Sequence, residues 1–327
     1  GKYHEAIKSF SRSTELLPTL SDGWQLLSDA YQKIGEKRKA LDVLRQAVQV
    51  IPDTSELNYK LARLYLDFGL ETEALPLLKM AVRNSPKDLM ITTDLIETLI
   101  KLGFLSDAQK VVSKARENWP QDLRMAEAQV TVEKALGNQE AIIEPLKILV
   151  ASKNPKPSWL LLYSATLVGA DCLLFKDDLN QDSIDEAQDA LEKVLGGDPN
   201  NRDAIHLMAE ITAKKGDYAK AYQLYRSIID DRVEENEKNP IDWRLLTGFG
   251  ATALVLGQSD VAVAALQEAD RMKPNTIGIQ KLLAEALFSG DYKTEGMEVA
   301  KKAVELEPTD LGTLGWYANA AITAGQY

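Results

Sequence analysis

A chain of 327 residues with 45% hydrophobic and 27% charged residues has the composition of a folded protein, which excludes general disorder. The net charge of −11 is uneven, because residues 1–120 hold 17 Lys and Arg against 16 Asp and Glu, whereas residues 121–327 hold 21 against 33. An acidic surface repels phosphate groups and anionic lipids. We therefore expect no nucleic acid partner and favour a basic protein partner for the second part.

Three absences narrow the classes of function further. No run of about 20 apolar residues is present, so no segment is expected to insert into a membrane. The single cysteine, Cys172, cannot form an intrachain disulfide, and one free thiol leaves the cellular compartment open. The two histidines, His4 and His206, lie far apart in the sequence and do not suggest a metal site. We expect neither a metal nor a cofactor.

Three residue types recur along the chain with a constant period of about 34 residues, a length typical of helical repeats. Prolines keep this spacing near the start and again near the end, at Pro18, Pro52, Pro86, Pro120, Pro274 and Pro308. Glycines lie midway between them, at Gly1, Gly35, Gly69, Gly103 and Gly137, and alanines follow five residues later, at Ala6, Ala40, Ala74 and Ala108. Such a fixed period indicates a repeat protein.

Each repeat is predicted to be a pair of antiparallel helices. Apolar residues recur at intervals of three and four, as in Trp24, Leu27 and Tyr31, which is typical of an amphipathic helix. Glycine ends the first helix in a tight turn by accepting a positive φ, the small alanine lets the second helix lie close to the first, and proline ends the second helix.

The pattern resembles the tetratricopeptide repeat, in which Trp, Leu-Gly, Tyr, Ala, Phe, Ala and Pro recur in this order. Residues 21–54 match it at Trp24, Leu27, Tyr31, Gly35, Ala40, Leu44, Ala47 and Pro52, and the next two units match at similar positions. The resemblance implies an all-α fold, a right-handed superhelical solenoid of antiparallel helix hairpins with about eight to nine units. It also implies protein binding and not catalysis.

The repeats divide the chain into three segments. Residues 1–122 form regular units, of which the first is a half-unit, residues 123–242 form divergent units, and residues 243–327 form regular units, of which the last is truncated. Acidic insertions lie near residues 171–182 and 230–239. Because neither end supplies the polar cap that stacked repeats need, we expect the chain to be part of a larger protein or complex.

Two local irregularities are predicted inside the divergent segment. Gly137, Pro145, Pro155 and Pro157 interrupt the repeat pattern, so we expect irregular packing near residues 137–157. We also expect residues 156–175 to form a longer helix than its counterparts.

One motif superficially suggests a dinucleotide site. Gly248, Gly250 and Ala253 match the glycine-rich fingerprint, which binds a pyrophosphate only when it links a strand to a helix. Here the motif falls within the first helix of a unit. We therefore predict that these glycines allow close helix packing.

The resemblance also predicts a concave groove lined by the first helix of each unit. Transferred by phase, the candidate groove residues are Gln25, Asp29, Tyr59, Arg63, Leu66, Glu97, Lys101, Glu127, Lys134, His206 and Glu210, with Thr93, Ile100, Thr131, Lys281 and Glu285 on the same face. A second candidate surface is an acidic edge formed by the two insertions, with Asp177, Asp178, Glu234 and Glu235. Charges of this kind are also typical of solvated loops and helix starts.

The leading hypothesis is a scaffold that binds a partner protein or extended peptide in the groove, along the acidic edge, or both. Capture of an acidic C-terminal tail in this groove is not expected. The family subtype that binds such tails has Lys and Asn in its first unit and Lys and Arg in its third, where this chain has Gln25, Asp29, Met90 and Asp94. Two alternatives stay open. In the first, the chain is the non-catalytic arm of a larger enzyme such as a glycosyltransferase. In the second, it is a structural subunit of an export or envelope assembly.

Overall fold

The computed structural model describes residues 2–169, 180–234 and 241–324, and these residues form helices and turns alone. The chain divides into two compact units, Gly1–Ala151 and Ser152–Tyr327. The boundary after Ala151 falls inside the segment that the sequence marks as divergent. Each unit is a stack of antiparallel helix hairpins, which confirms the predicted all-α repeat solenoid.

In the first unit, even-numbered helices up to α8 are the first members of hairpins and odd-numbered helices the second. A short 3-10 helix, Glu140–Ile142, precedes the last helix of the unit. The bounds are α1 Lys2–Leu16, α2 Ser21–Lys33, α3 Lys37–Val50, α4 Ser55–Asp67, α5 Glu71–Asn84, α6 Leu89–Lys101, α7 Leu105–Asn118, α8 Leu123–Leu136 and α9 Ile143–Val150.

The glycines predicted to end the first helices do so with a left-handed backbone. Gly35, Gly69, Gly103 and Gly137 have φ of 82°, 71°, 78° and 79°. A side chain at such a φ is strained, whereas glycine adopts it freely. This confirms the predicted role of the glycine series.

The alanine series confirms the predicted close approach of the two helices of a hairpin. Ala40, Ala74 and Ala108 have no exposed surface and lie in one continuous apolar core with Leu44 and Leu78. Full burial of a leucine side chain contributes about 1.5–3 kcal/mol to folding. The core of this unit therefore runs through its successive hairpins.

Side chains of the first helices also fix the proline turns between repeats. The indole Nε1 of Trp24 donates to the carbonyl of Pro18 at 2.8 Å, and Asn58 Nδ2 donates to the carbonyl of Pro52 at 2.6 Å. Trp24 and Asn58 occupy the same position in consecutive repeats. The proline carbonyls at the turns thereby receive hydrogen bonds from the next first helix.

The fourth hairpin is irregular, as the sequence predicts for residues near 137–157. Its second helix is replaced by the 3-10 turn and the eight residues of α9, whereas α3, α5 and α7 each have 14 residues. Ile142 stands where alanine occurs in earlier repeats and is buried. The carboxylate of Glu133, also buried, accepts hydrogen bonds from Gln109 and Asn138 and links α7, α8 and this turn.

The second unit contains the remaining helices. They are α10 Pro157–Val168, α11 Gln181–Gly197, α12 Arg202–Lys214, α13 Tyr218–Glu234, α14 Trp243–Val255, α15 Ser259–Met272, α16 Ile277–Ser289, α17 Lys293–Leu306 and α18 Leu311–Ala324. The prediction of a long helix over residues 156–175 is wrong. Helix α10 has 12 residues and ends at Val168, because Gly169 takes a φ of 88° and leaves the helix.

The glycine-rich motif lies inside α14, where the sequence predicts it to serve helix packing. A Cβ at Gly248 would lie 2.2 Å from the Tyr225 hydroxyl oxygen, and one at Gly250 would lie 2.6 Å from Leu266 Cγ. Both distances are shorter than any ordinary contact of a Cβ atom. The two glycines therefore let α13 and α15 pack directly against α14.

Candidate functional site

The predicted groove face of the first unit is held together by ion pairs between successive first helices. We call this face of α2, α4, α6 and α8 the first-helix groove. Lys60 of α4 lies with Nζ 2.7 and 2.9 Å from the two carboxylate oxygens of Asp29 on α2. Between α4 and α6, Arg63 Nη1 lies 3.0 Å from Asp94 Oδ2.

Both pairs join residues 31 positions apart. One repeat period separates Asp29 from Arg63 and Lys60 from Asp94, so the pairs occupy the same two positions in successive repeats, with the signs of the charges exchanged. Continuing the series by one more period gives Glu97 and Ala128. Ala128 has no charge, so the series of ion pairs ends between α6 and α8.

Tyr59 adds a second bond to the carboxylate that pairs with Arg63. Its hydroxyl donates to Asp94 Oδ2 at 2.8 Å. Burial, together with the hydrogen bond to this negative charge, raises the pKa of Tyr59 to about 12. The phenol therefore stays neutral at any physiological pH and remains a hydrogen-bond donor.

Where the ion pairs end, a depression of about 440 Å³ opens between α6 and α8. It is lined by Thr93, Glu97, Ile100, Lys101, Arg124, Glu127, Ala128 and Thr131. Six of these residues are on the groove face derived from the sequence. Within residues 2–151, Glu97 has neither an ion pair nor a side-chain hydrogen bond, and it is exposed. The cations on the rim are paired, Lys101 with Glu71 and Arg124 with Asp122.

The other predicted groove residues of the first unit do not line this depression. Gln25 and Asp29 are half-buried on α2, and Leu66 packs against the apolar core from the end of α4. Lys134 is exposed in the last turn of α8. The structure thus places the predicted residues on the successive first helices and brings Glu97, Lys101 and Glu127 to one depression.

In the second unit, the prediction that Glu210 lines an open groove is wrong. Its side chain is 4% exposed, and its Oε1 lies 3.4 Å from Nε2 of His206, which is 16% exposed. The imidazole meets the ring of Tyr225 edge-on, with centroids 6.0 Å apart. His206 therefore faces α13, and the Glu210 carboxylate beside it is buried and not open to solvent.

Other first helices of the second unit repeat the arrangement of the first. Trp316 Nε1 donates to Glu285 Oε1 at 2.9 Å, again across 31 positions, and Lys281 Nζ donates to Thr313 Oγ1 at 2.8 Å. The sequence marks Lys281 and Glu285 as groove positions but does not reveal their partners. An offset of 31 or 32 positions between complementary side chains, slightly shorter than one repeat, is the signal that would have found them.

The predicted acidic edge lies only in part within the described residues. Asp177, Asp178 and Glu235 are outside them, as is Cys172, and Glu234 is the last residue of α13. Two nearby carboxylates that are described have cationic partners. Asp185 lies 2.7 Å from Lys215, whose hydrogen bond lowers the pKa of that carboxyl. Asp230 lies 3.3 Å from Arg226.

Two properties of the described residues bear on the class of site. No helix among the described residues is both long and apolar enough to cross a membrane. Likewise, the part of the chain that the structure describes holds no group of three or more His, Cys, Asp and Glu side chains that could bind a metal ion.

Comparison with known proteins supports the repeat assignment. Two family models described as tetratricopeptide repeat match residues 26–88 and 179–237. A comparison with proteins of curated function gave no match. Within the described residues, both matched regions lie in the helix hairpins given above.

Similar solved structures extend the comparison to the fold. The Cut9–Hcn1 hetero-tetramer of APC/C has a TM-score of 0.50 at 12% identity, covering 97% of this chain and 59% of that one. Naa15/Naa10 bound to HypK-THB gives 0.49 at 13% identity, with 99% and 64% covered. A tetratricopeptide repeat protein from Parabacteroides merdae ATCC 43184 gives 0.46 at 16%, with 81% and 98% covered.

Because the sequence identity is only 12%, the match to Cut9–Hcn1 supports a similar fold and nothing further. The chain spans less than two thirds of the length of the Cut9–Hcn1 and Naa15/Naa10 chains that it matches. The constant repeat period, the hairpins with left-handed glycine turns and the two family-model matches agree. They identify tetratricopeptide repeats in this chain and support a protein-interaction scaffold.

Proposed function

We propose that this protein acts by binding and not by catalysis, and that the first-helix groove binds an extended segment of a partner protein. The observation that carries the proposal is the end of the ion-pair series at Glu97 and Ala128. In the two preceding repeats, the same positions neutralise each other. Here the acid is unpaired and the depression beside it is open.

The chemistry of the depression favours a basic side chain of the partner. A lysine or arginine could place its charge beside Glu97 and lay its methylene groups against Ala128 and Ile100. Lys101 and Arg124 on the rim already have acidic partners, so they do not neutralise Glu97. A charge complementary to that of the partner gives specificity as well as affinity.

The groove is favoured over the acidic edge as the primary site. Asp185 and Asp230, two of the described acids that belong to or border that edge, are paired with cations of this chain. An arm of a larger enzyme or a subunit of an export assembly would also bind through such a groove. The full-length gene separates these alternatives, since a catalytic domain or a signal sequence would be encoded beside the repeats.

The test begins with a photo-crosslinking residue at position 131, on the rim of the depression, and at position 301 as a control. Thr131 and Lys301 are both exposed, and Lys301 lies on a second helix of the other unit. We expect a protein captured from position 131 but not from 301. Equal capture at both positions would count against the groove.

The captured protein, once purified, then decides the mechanism. We expect Glu97→Gln and Ala128→Lys each to weaken its binding by about tenfold, which is about 1.4 kcal/mol. Glu117→Gln removes the same negative charge as Glu97→Gln, at an exposed position of α7, and should leave binding unchanged. Unchanged affinity in both groove variants would refute the proposal.

A further inference from the structure

A second groove lies between the second helices α5 and α7, away from the first-helix groove. Its volume is about 740 Å³, within the range of about 300–1,000 Å³ that is usual for ligand sites. Five cations line it: Lys79, Arg83 and Lys87 from α5 and the turn after it, and Lys110 and Lys114 from α7. We call it the second-helix groove.

Most of these cations have no acidic partner. Lys79 lies 3.5 Å from Asp107, in a pair whose two side chains are both half exposed. Within residues 2–151, the other four have neither an ion pair nor a side-chain hydrogen bond. All five are exposed. In a chain with a net charge of −11, this is a local concentration of uncompensated positive charge.

The arrangement does not serve the stability of the helices. Lys79 and Arg83 are four residues apart on α5, and Lys110 and Lys114 are four residues apart on α7. Like charges at this spacing destabilise a helix by about 0.2–0.5 kcal/mol per pair. The repeat pattern does not require them either, since a shift of the five positions by one repeat period in both directions finds only one cation, Arg45.

The floor of the groove is apolar. Val82, Val111 and Trp119 are half-buried, pack against the apolar core of the unit and line the groove beneath the cations. A purely polyanionic ligand would leave this floor in contact with water. A segment that carries both carboxylates and an apolar side chain would cover it.

We propose that the second-helix groove binds a short acidic segment of a partner protein. The carboxylates of that segment pair with the cations of α5 and α7, and an apolar side chain lies against Val82, Val111 and Trp119. Nucleic acid is disfavoured, because a polyphosphate backbone has no apolar group to cover Val82, Val111 and Trp119 on the floor. The site is independent of the first-helix groove and fits a partner of opposite charge.

The experiment uses the chain of 327 residues and a fluorescein-labelled octapeptide, Glu-Glu-Leu-Glu-Glu-Leu-Glu-Glu, followed by fluorescence anisotropy. We expect saturable binding that weakens as salt rises from about 50 to 200 mM. Replacing every glutamate by glutamine, or both leucines by serine, should each abolish most of it. Absence of binding to the first peptide would overturn the proposal.

The variant that locates the site combines Arg83→Glu with Lys114→Glu. Two substitutions are used because single exposed ion pairs contribute only about 0.2–1 kcal/mol. We expect affinity to fall by about tenfold. Lys301→Glu with Lys302→Glu makes the same charge change at exposed positions of α17 and should bind the peptide normally.

Circular dichroism of both double variants checks that they fold alike. Equal loss of binding in the two, or no loss in the first, would refute the site. A ten-nucleotide single strand of thymidine is tested in parallel. If it binds more tightly than the acidic peptide and is displaced from the same cations, the groove is a nucleic acid site and the proposal is wrong.

Discussion

Glu97 and Ala128 line the same depression and occupy the two positions that an ion pair joins in each of the two preceding repeats. Because residue 128 is not a cation, the regular series of ion pairs stops here and the depression stays open. This difference also suggests a direct way to close the depression.

Ala128→Lys should complete the series by pairing with Glu97. We expect the free energy of unfolding to rise by about 0.2–1 kcal/mol at low salt, as for other exposed ion pairs, and the gain to fade at high salt. Urea unfolding measures it. Ala128→Gln adds a similar length without charge, and equal stability of the two variants at low salt would contradict the prediction.

Gly248→Ala should destabilise the second unit by about 1–3 kcal/mol, the usual cost of overpacking. The added Cβ would meet the Tyr225 hydroxyl at 2.2 Å, and Tyr225 is fully buried and cannot move aside freely. Thermal unfolding provides the measurement. Gly196→Ala is the control, since a Cβ there meets nothing within 4 Å. Similar melting temperatures for both variants would show that α13 and α14 are not tightly packed.

Asp122→Ala should cost about 1 kcal/mol at neutral pH, because Asp122 caps α8 by accepting from the backbone N–H groups of Arg124 and Met125. Burial raises the pKa of this carboxyl, but the bonds from Arg124 and Met125 outweigh it, so the pKa lies below the ordinary value. A lowered pKa means that the stabilisation is present above about pH 4 and is lost as the pH falls.

Urea unfolding at pH 7 and pH 3 should therefore show the gap between the wild type and Asp122→Ala shrinking in acid. Asp122→Asn keeps a neutral hydrogen-bond acceptor at the cap. Its difference from Asp122→Ala should change little between the two pH values. A gap that is as large at pH 3 as at pH 7 would disprove the role of the charge.

Tyr59→Phe should destabilise the first unit by about 1 kcal/mol at pH 8, because the bond to Asp94 is lost. The pKa of Tyr59 is raised to about 12, so its folded form resists ionisation. The corresponding stabilisation is present below about pH 10, the value in the unfolded chain, and is lost as the pH rises towards 12.

Guanidinium unfolding at pH 8 and pH 11 tests this, and the gap between the wild type and Tyr59→Phe should narrow at pH 11. Tyr3→Phe is the control, because Tyr3 is 52% exposed. If the gap widens with pH, Tyr59 ionises more readily in the folded chain and the interpretation fails.

The sequence predicted the hairpins because each of their determinants is local. Glycine at a turn, alanine between two helices and proline after the second helix act within one repeat, so Gly35, Ala40 and Pro52 suffice to place a unit. The end of α10 at Gly169 was missed although it follows the same physics. The apolar residues before Gly169 continue the helical pattern, so this glycine was not recognised as the end of the helix. Residues 170–175 lie outside the described part.

The candidate site was predictable in its helices but not in its contacts. The groove positions follow from helical phase, whereas the pairing of Asp29 with Lys60 depends on how far one first helix is displaced along the next. Glu210 shows the limit of phase alone. Its repeat has lengthened flanking helices of 17 residues, and the carboxylate is buried beside His206 instead of facing solvent.

The side-chain bonds between successive first helices join residues only 31 to 35 positions apart. Each hairpin is thus stabilised by its sequence neighbours, and formation of one repeat closes only a short loop of unfolded chain. Proteins with such local contacts fold quickly, and an array of this kind can begin to fold at any hairpin and extend in both directions. A ribosome-bound chain could accordingly complete its first repeats while later ones are still being synthesised.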